Sequence, residues 1–288
     1  MKPRIATVLS LGFAATLCAQ DVVTPELRAL ADAERAFART ATEKGIRDAF
    51  LDFFADDAIA LVPDAAPAKD RLRSRPSVPF SEAELLWEPR MGDVAASGEL
   101  GWLTGPSTFT NKKAGGPASY GNYLSVWRKG AEGAWNVFID IGSDAPSPVP
   151  FPPGFTRIAF GARYAGPANT TAATTTLLEA DRALNAKLAV GPSSAAYAAV
   201  MSPDVRLHRD GMVAITGRDP ASDWLTKNSP SLKPMTTAAE AARSADLGYS
   251  YGTYQKGHSP AKGPYLRIWS RTMQGNWLIV ADVMATPR

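Results

Sequence analysis

The chain has 288 residues, 31 Lys and Arg against 28 Asp and Glu, 45% hydrophobic residues and a single cysteine. A near-neutral balance without Lys/Arg blocks excludes the electrostatic footprint of a nucleic-acid or anionic-membrane binder, and Cys18 alone excludes a disulfide framework or a cysteine-built metal centre. The length suffices for two domains of ordinary size, each able to bury a core.

Residues 1–20 read as an export signal. Lys2 and Arg4 form a positive start, Ile5 to Cys18 is almost wholly apolar, and Ala19 and Gln20 offer a cleavage point before Asp21. The apolar run is too short to span a bilayer comfortably, so a periplasmic or secreted protein free of the membrane is expected. Ala15, Thr16 and Leu17 match poorly the small residues that precede a lipid-modified cysteine, which leaves a lipoprotein as the minority reading. Cleavage would remove Cys18 and leave a mature chain without a thiol.

Thr24 as N-cap, Pro25 at the first helical position and Glu26 in the first turn open a helix. Its stripe is Leu27, Leu30, Ala31, Glu34, Phe37 and Ala38, at three and four spacing. Gly45 interrupts, and a second short helix carries Phe50, Phe53 and Phe54 up to Asp56 and Asp57. Strands follow over 100–104, 123–128 and 135–141, with Trp135, Val137 and Ile139 on one face of the last and Phe138 on the other. Helices first and an antiparallel meander after predict an α+β layer. Residues 143–171, with Pro146, Pro148, Pro150, Pro152, Pro153 and Pro167, read as a stiff connection. Phe151, Phe155, Ile158, Phe160 and Tyr164 predict that it docks.

Past the connection the pattern recurs. Arg35, Phe50, Asp57, Arg71 and Gly101 have counterparts 147 positions on in Arg182, Tyr197, Asp204, Arg218 and Gly248, and Tyr123, Trp135 and Asp140 have theirs 142 positions on in Tyr265, Trp277 and Asp282. A duplicated unit is expected, over 21–142 and 172–288, with the loop Pro106 to Ser119 five residues longer in the first copy.

Ala33-Glu34-Arg35-Ala36-Phe37, Glu43-Lys44-Gly45, Ala49-Phe50, Asp56-Asp57-Ala58 and Tyr123-Leu124-Ser125-Val126-Trp127-Arg128 resemble the domain of unknown function 4440 family, in the SnoaL-like and ketosteroid isomerase-like branch of the nuclear transport factor 2-like superfamily. The resemblance covers 24–142 and 172–287. It implies two α+β domains, each a cone of curved antiparallel sheet around helices with a cavity at its open end. Members commonly pair sheet to sheet, so two copies in one chain imply an intramolecular pseudo-dimer or a homo-oligomer. Their functions range from isomerases and cyclases to association domains.

Ketosteroid isomerase-like enzymes carry a carboxylate base five residues after the Asp that closes the preceding helix. Val62 and Arg209 stand there, and the nearby Asp64 and Asp210 do not substitute, because a one-residue slip turns a strand residue to the other face. At the acidic donor's position stand Ser125 and Arg267. His208 and His258 are too far apart to propose a metal cluster, no phosphate loop or nucleophile elbow is present, and Ser259 to Lys262 matches Ser-x-x-Lys by chance in a loop. No cofactor or metal is expected.

A four-residue hairpin loop, Gly130 to Gly133 and Thr272 to Gly275, would set Tyr123 opposite Asp140 and Tyr265 opposite Asp282. The same register places Ser125 beside Phe138, Arg267 beside Val280, and Trp127 and Trp269 on the face of their tyrosines, all expected to line the cavities. Asp140 and Asp282 are the candidate bases. A small, largely apolar ligand is the expected partner; an isomerase- or cyclase-type acid/base enzyme and a protein-interaction scaffold are the alternatives. An open cavity with a displaced-pKa Asp would favour the enzyme, an open one without it binding, and a filled one the scaffold.

Overall fold

The computed structural model describes residues 23–61, 65–151, 153–158, 163–228 and 231–286. The expected signal with Cys18, and Val62, Asp64 and Phe160, lie outside them. Thr24 caps α1 (Pro25–Lys44), its Oγ1 accepting from the Leu27 amide at 3.2 Å. The buried stripe of α1 is Leu27, Leu30, Ala31, Glu34, Phe37 and Ala41, so one carboxylate rides among the apolar residues into the core. There follow α2 (Ile46–Phe53), β1 (Phe54–Ala60), the two-residue β2 (Ala66–Pro67), α3 (Ala68–Arg73), β3 (Ala83–Trp87), β4 (Met91–Val94), β5 (Leu100–Asn111), β6 (Ser119–Lys129), β7 (Trp135–Ala145) and the short β8 (Thr156–Arg157).

The second half repeats the order helices, strand, helix, strands: α4 (Thr170–Val190), α5 (Ser193–Ala198), β9 (Met201–Arg209), β10 (Ile215–Thr216), α6 (Arg218–Lys227), β11 (Leu232–Ala241), β12 (Leu247–Lys256), β13 (Lys262–Arg271) and β14 (Trp277–Met284). The first sheet runs β2-β1-β7-β6-β5-β4-β8 with β3 also on β5, and the second β10-β9-β14-β13-β12-β11. The architecture is α+β, but the sheets are mixed rather than wholly antiparallel. β1 lies parallel to β7 and β9 parallel to β14, because the strand that leaves the helices joins the sheet beside the last strand and in its direction.

Three apolar clusters make the core. One packs α1 residues against Leu103, Tyr123, Trp127, Trp135 and Val137, and a second packs Leu177, Leu184 and Tyr197 against Tyr265, Trp269, Trp277 and Ile279. The third is drawn from the opposite faces of both sheets, with Trp102, Leu124 and Ile139 meeting Tyr249, Leu266 and Ala281. Residues 143–171 are anchored at several points: β8 pairs with β4, the Tyr164 amide donates to the Arg271 carbonyl at 2.9 Å, and Arg163 reaches Asp93 and Asp246.

The hairpin register corrects the expectation by two residues. The tips are one residue tighter: Gly130 N donates to Ala134 O, Thr272 N donates to Asn276 O, and Gly133 (φ +81°) and Gly275 (φ +87°) supply the left-handed position that a three-residue tip needs. A bulge at Phe138 and another at Val280 then add the second residue, since two residues there oppose one on the partner strand. Asp140 therefore faces Ser125, Asp282 faces Arg267, Tyr123 faces Gly142 and Tyr265 faces Met284. A shift of two restores the face, so both tyrosines and both aspartates still look toward the helices. The bulged residues do not: Phe138 and Val280 belong to the cluster between the sheets, as does Ile139, and none of the three stands with the helix-side residues.

Candidate functional site

Behind the first sheet, α1 brings Glu34 against β6 and β7. Its Oε1 accepts from Trp87 Nε1 at 2.6 Å, and its Oε2 accepts from Ser125 Oγ at 2.9 Å and Trp127 Nε1 at 3.0 Å. Ser125 thus links Trp127, which donates to its Oγ at 2.9 Å, to the carboxylate. One position across the ladder stands Asp140. Its Oδ1 has no hydrogen-bond partner among the described residues, and neither has the hydroxyl of Tyr123 on the same face. Asp140 and Trp87 are half-buried as whole residues, but the Asp140 Oδ1 itself is buried, and Glu34 is 1% exposed. Phe37 closes the wall, 4.8 Å centroid to centroid from both Phe50 and Trp87.

Burial governs the charges here, and no cation is paired with either carboxyl among the described residues. Burial lifts Glu34 from its ordinary 4.5 to about 7, against the pull of its three donors, with Glu88 adding to the rise. Burial, reinforced by Glu34, lifts Asp140 from 3.8 to about 8, against the backbone N–H of Ile141. Tyr123 is pushed well above its usual range by burial, then by Glu34, Asp140 and Glu88. Arg35 on α1, which follows Glu34 in the chain, is engaged with Glu88 at 3.0 Å and Asp32 at 3.0 Å. Two carboxyl groups that exchange protons near neutral pH, beside a free phenol, can accept or donate hydrogen bonds to a ligand and can take up or release a proton.

Behind the second sheet the same places hold a closed ionic network. Arg267 Nη1 donates to Asp181 Oδ1 at 2.6 Å and to Asn185 Oδ1 at 2.7 Å, and its Nε to Asp282 Oδ2 at 2.9 Å. Arg209 Nη1 meets Asp282 Oδ1 at 2.5 Å, and the Tyr197 hydroxyl donates to Asp282 Oδ2 at 2.9 Å. Asp181 also accepts from Tyr265 at 2.8 Å, Thr236 at 2.6 Å and Ser250 at 2.8 Å, and Ser250 in turn accepts from Trp269 Nε1 at 2.8 Å. Arg267, Asp181 and Asp282 are fully buried. Burial alone would raise Asp282, but Arg209 and Arg267 outweigh it and hold the carboxyl below its ordinary value. Side chains fill this space.

The predicted residues Tyr123, Ser125, Trp127 and Asp140 come together in the first half, and Tyr265, Arg267, Trp269 and Asp282 in the second; Phe138 and Val280 belong to neither group. Glu34 and Asp181 stand at the two centres, and spacing on the strands could not reveal them. The available signal was an acid inside an apolar helical stripe, repeated 147 positions on. A groove of about 1120 Å³ lies elsewhere, lined among others by Ala95, Lys129, Asn136, Arg163 and Glu240, and neither Glu34 nor Asp140 reaches it. His208 is fully buried with neither ring nitrogen partnered among the described residues, whereas His258 is exposed in a loop.

No family model matches the chain, and no curated protein matches it. Solved structures similar to part of it include a ketosteroid isomerase-like protein from Erwinia carotovora atroseptica, at 24% identity and TM-score 0.35, covering 43% of this chain and 99% of that one. An NTF-2-like protein of unknown function from Shewanella oneidensis is similar at 14% identity and TM-score 0.34, covering 39% and 98%. An NTF2-like protein of unknown function from Pseudomonas putida is similar at 11% identity and TM-score 0.36, covering 42% and 90%.

Proposed function

We propose that the protein is an exported, tandemly duplicated small-molecule-binding protein in which the first half carries the ligand site and the second half serves as its structural partner. The carrying observation is Asp140: opposite Ser125, which donates to Glu34, and with a buried Oδ1 unpartnered among the described residues, where the equivalent Asp282 is saturated by two arginines and a tyrosine. A buried polar group without a partner is costly, and a ligand that supplies one gains that energy on binding. The wall of Phe37, Phe50, Trp87 and Trp127 suits an apolar body, and the carboxyl pair suits one polar end. Export rests on Lys2, Arg4 and the apolar run to Cys18. The internal pairing of two copies rests on the cluster shared by both sheets and on cross-contacts such as Ser97 Oγ to Ser244 Oγ at 2.7 Å.

The raised Asp140 favours a second reading, an acid/base catalyst of isomerase type, because a group that titrates near about 8 is poised to move protons close to neutral pH. A thermal-shift and native mass-spectrometry screen of aromatic and alicyclic alcohols, acids and amines tests the first reading. We expect stabilisation by at least one class, abolished by Asp140→Asn and retained in Asp282→Asn despite that variant's lower starting stability. Absence of any shift, or equal shifts in wild type and Asp140→Asn, would remove the site from the first half.

A further inference from the structure

The second half shows what completes a carboxylate pair in this architecture: one guanidinium. Arg267 projects from β13 opposite Asp282, and bridges it to Asp181 on α4. In the first half Ser125 occupies that register position, opposite Asp140, with Glu34 on α1 taking the place of Asp181. The neighbours that support the guanidinium are pared back in the same way. Asn185, which accepts from Arg267, has Ala38 at the matching position 147 residues earlier, and Tyr197, whose hydroxyl donates to Asp282, has Phe50. Both acids are kept while Arg267, Asn185 and Tyr197 are matched by Ser125, Ala38 and Phe50, and Glu34 takes its hydrogen bonds from Trp87, Ser125 and Trp127.

We propose that the first-half site binds a small organic cation, a guanidinium or amidinium group, lodged between Glu34 and Asp140 as Arg267 is lodged between Asp181 and Asp282. This names the ligand class of the site proposed above and rests on that reading. The charge balance agrees: with no cation paired to either among the described residues, burial holds the two carboxyls at about 7 and about 8, and a cation would return both toward ordinary values and expel their protons. The other charged or titratable groups that bear on the pair are Arg35 and Glu88, already engaged with each other, and Tyr123, whose hydroxyl is left to accept from the ligand. A planar fork of N–H donors fits two carboxyl groups better than a single ammonium does. The aromatic wall gives the cation a further electrostatic partner.

N-Propylguanidine is the arginine side chain without its backbone, and N-propylurea is its neutral isostere. Titrating the full chain with each by calorimetry, in two buffers of different ionisation enthalpy, reads affinity and proton release together. We expect the guanidine to bind at least about tenfold more tightly than the urea, with affinity rising through about pH 6 to 8 and protons released, and both effects lost in Asp140→Asn. Ser125→Arg supplies the missing group covalently and should raise the melting temperature while abolishing guanidine binding. Equal binding of guanidine and urea, without proton release, would overturn the cation assignment and leave the small-molecule site standing. Failure of both probes, together with a blank ligand screen, would remove site and cation alike.

Discussion

Each half of the molecule sets one acid from its first helix and one from its last strand behind a sheet, and the two halves resolve the resulting charge in opposite ways. In the second, Asp181 and Asp282 share Arg267, and Arg209, Tyr197, Tyr265, Thr236 and Ser250 take up the remaining lone pairs. In the first, Glu34 leans on two indoles and a serine, and Asp140 is left to hold a proton. A buried ion pair is stable only when every member is satisfied, and the second half meets that condition by closing its interior. The first half leaves Asp140 Oδ1 and the Tyr123 hydroxyl without partners among the described residues, and the proposed ligand site rests on that difference. One order of elements thus carries an ionic network on one side and an unneutralised carboxyl pair on the other, and the matching register position is Ser125 in the first half and Arg267 in the second.

The sharpest way to break this comparison is to remove the guanidinium. Arg267→Met leaves Asp181 and Asp282 buried with fewer partners, and we expect a loss of about 3 to 5 kcal/mol in urea unfolding. Ser125→Ala at the matching position removes one hydroxyl from a carboxyl that keeps two indole donors, and should cost about 1 kcal/mol. Equal losses would show that the second network does not hold its half together.

Stability against pH separates the halves by sign. Glu34 and Asp140 have raised folded-state pKa values, so their contribution is full below the ordinary carboxylate range and is lost as pH climbs toward about 7 and 8. The slope is at most about 1.4 kcal/mol per pH unit for each linked proton, and Asp140→Asn should flatten it on the alkaline side. Asp282 and His208 titrate below their ordinary values: for His208 burial comes first, followed by Arg206 and Arg209. Their contributions are therefore present above the ordinary pKa and lost as pH falls. Urea midpoints taken from about pH 4 to 9 should fall at both ends, with only the alkaline arm moved by Asp140→Asn. An alkaline arm unchanged in that variant would contradict the unpaired state of Asp140.

How far this contrast was legible in the sequence depends on the scale of the feature. The 147- and 142-residue offsets carry the repeated order of helices and strands, and Tyr123, Ser125, Trp127 and Asp140 with their counterparts could be named from them. Partnering could not, because it turned on two single-residue events, the tighter tip at Gly133 and the bulge at Phe138, which together moved Asp140 from Tyr123 to Ser125. Each alone would have reversed the faces; their sum kept the faces and changed the neighbours. The two bulges also sent Phe138 and Val280 into the seam between the sheets, where an alternating pattern cannot place them. Trp87 reaches Glu34 across 53 residues of chain, a contact set by tertiary packing alone.

The tyrosines give the smallest test and the one least confounded by charge. Tyr265 and Tyr123 lie on the same sheet face in their halves and are both buried, yet among the described residues they differ at the hydroxyl: that of Tyr265 donates to Asp181 at 2.8 Å and accepts from Asn185 Nδ2 at 3.0 Å. Deleting it takes one hydrogen bond from each of two partners that keep others, Asp181 those with Arg267, Thr236 and Ser250 and Asn185 those with Thr236 and Arg267, so Tyr265→Phe should cost about 1 kcal/mol. Tyr123→Phe removes an oxygen with no partner among the described residues and should change stability by less than about 0.5 kcal/mol, in either direction. With ligand bound the order changes: a hydroxyl idle in the free protein but engaged by a bound donor would make Tyr123→Phe costly only in the complex. Double measurements, free and ligand-saturated, on the two Phe variants therefore separate a hydroxyl that holds the fold from one that waits for a ligand. A Tyr123→Phe variant as costly free as bound would place both tyrosines in the same structural role.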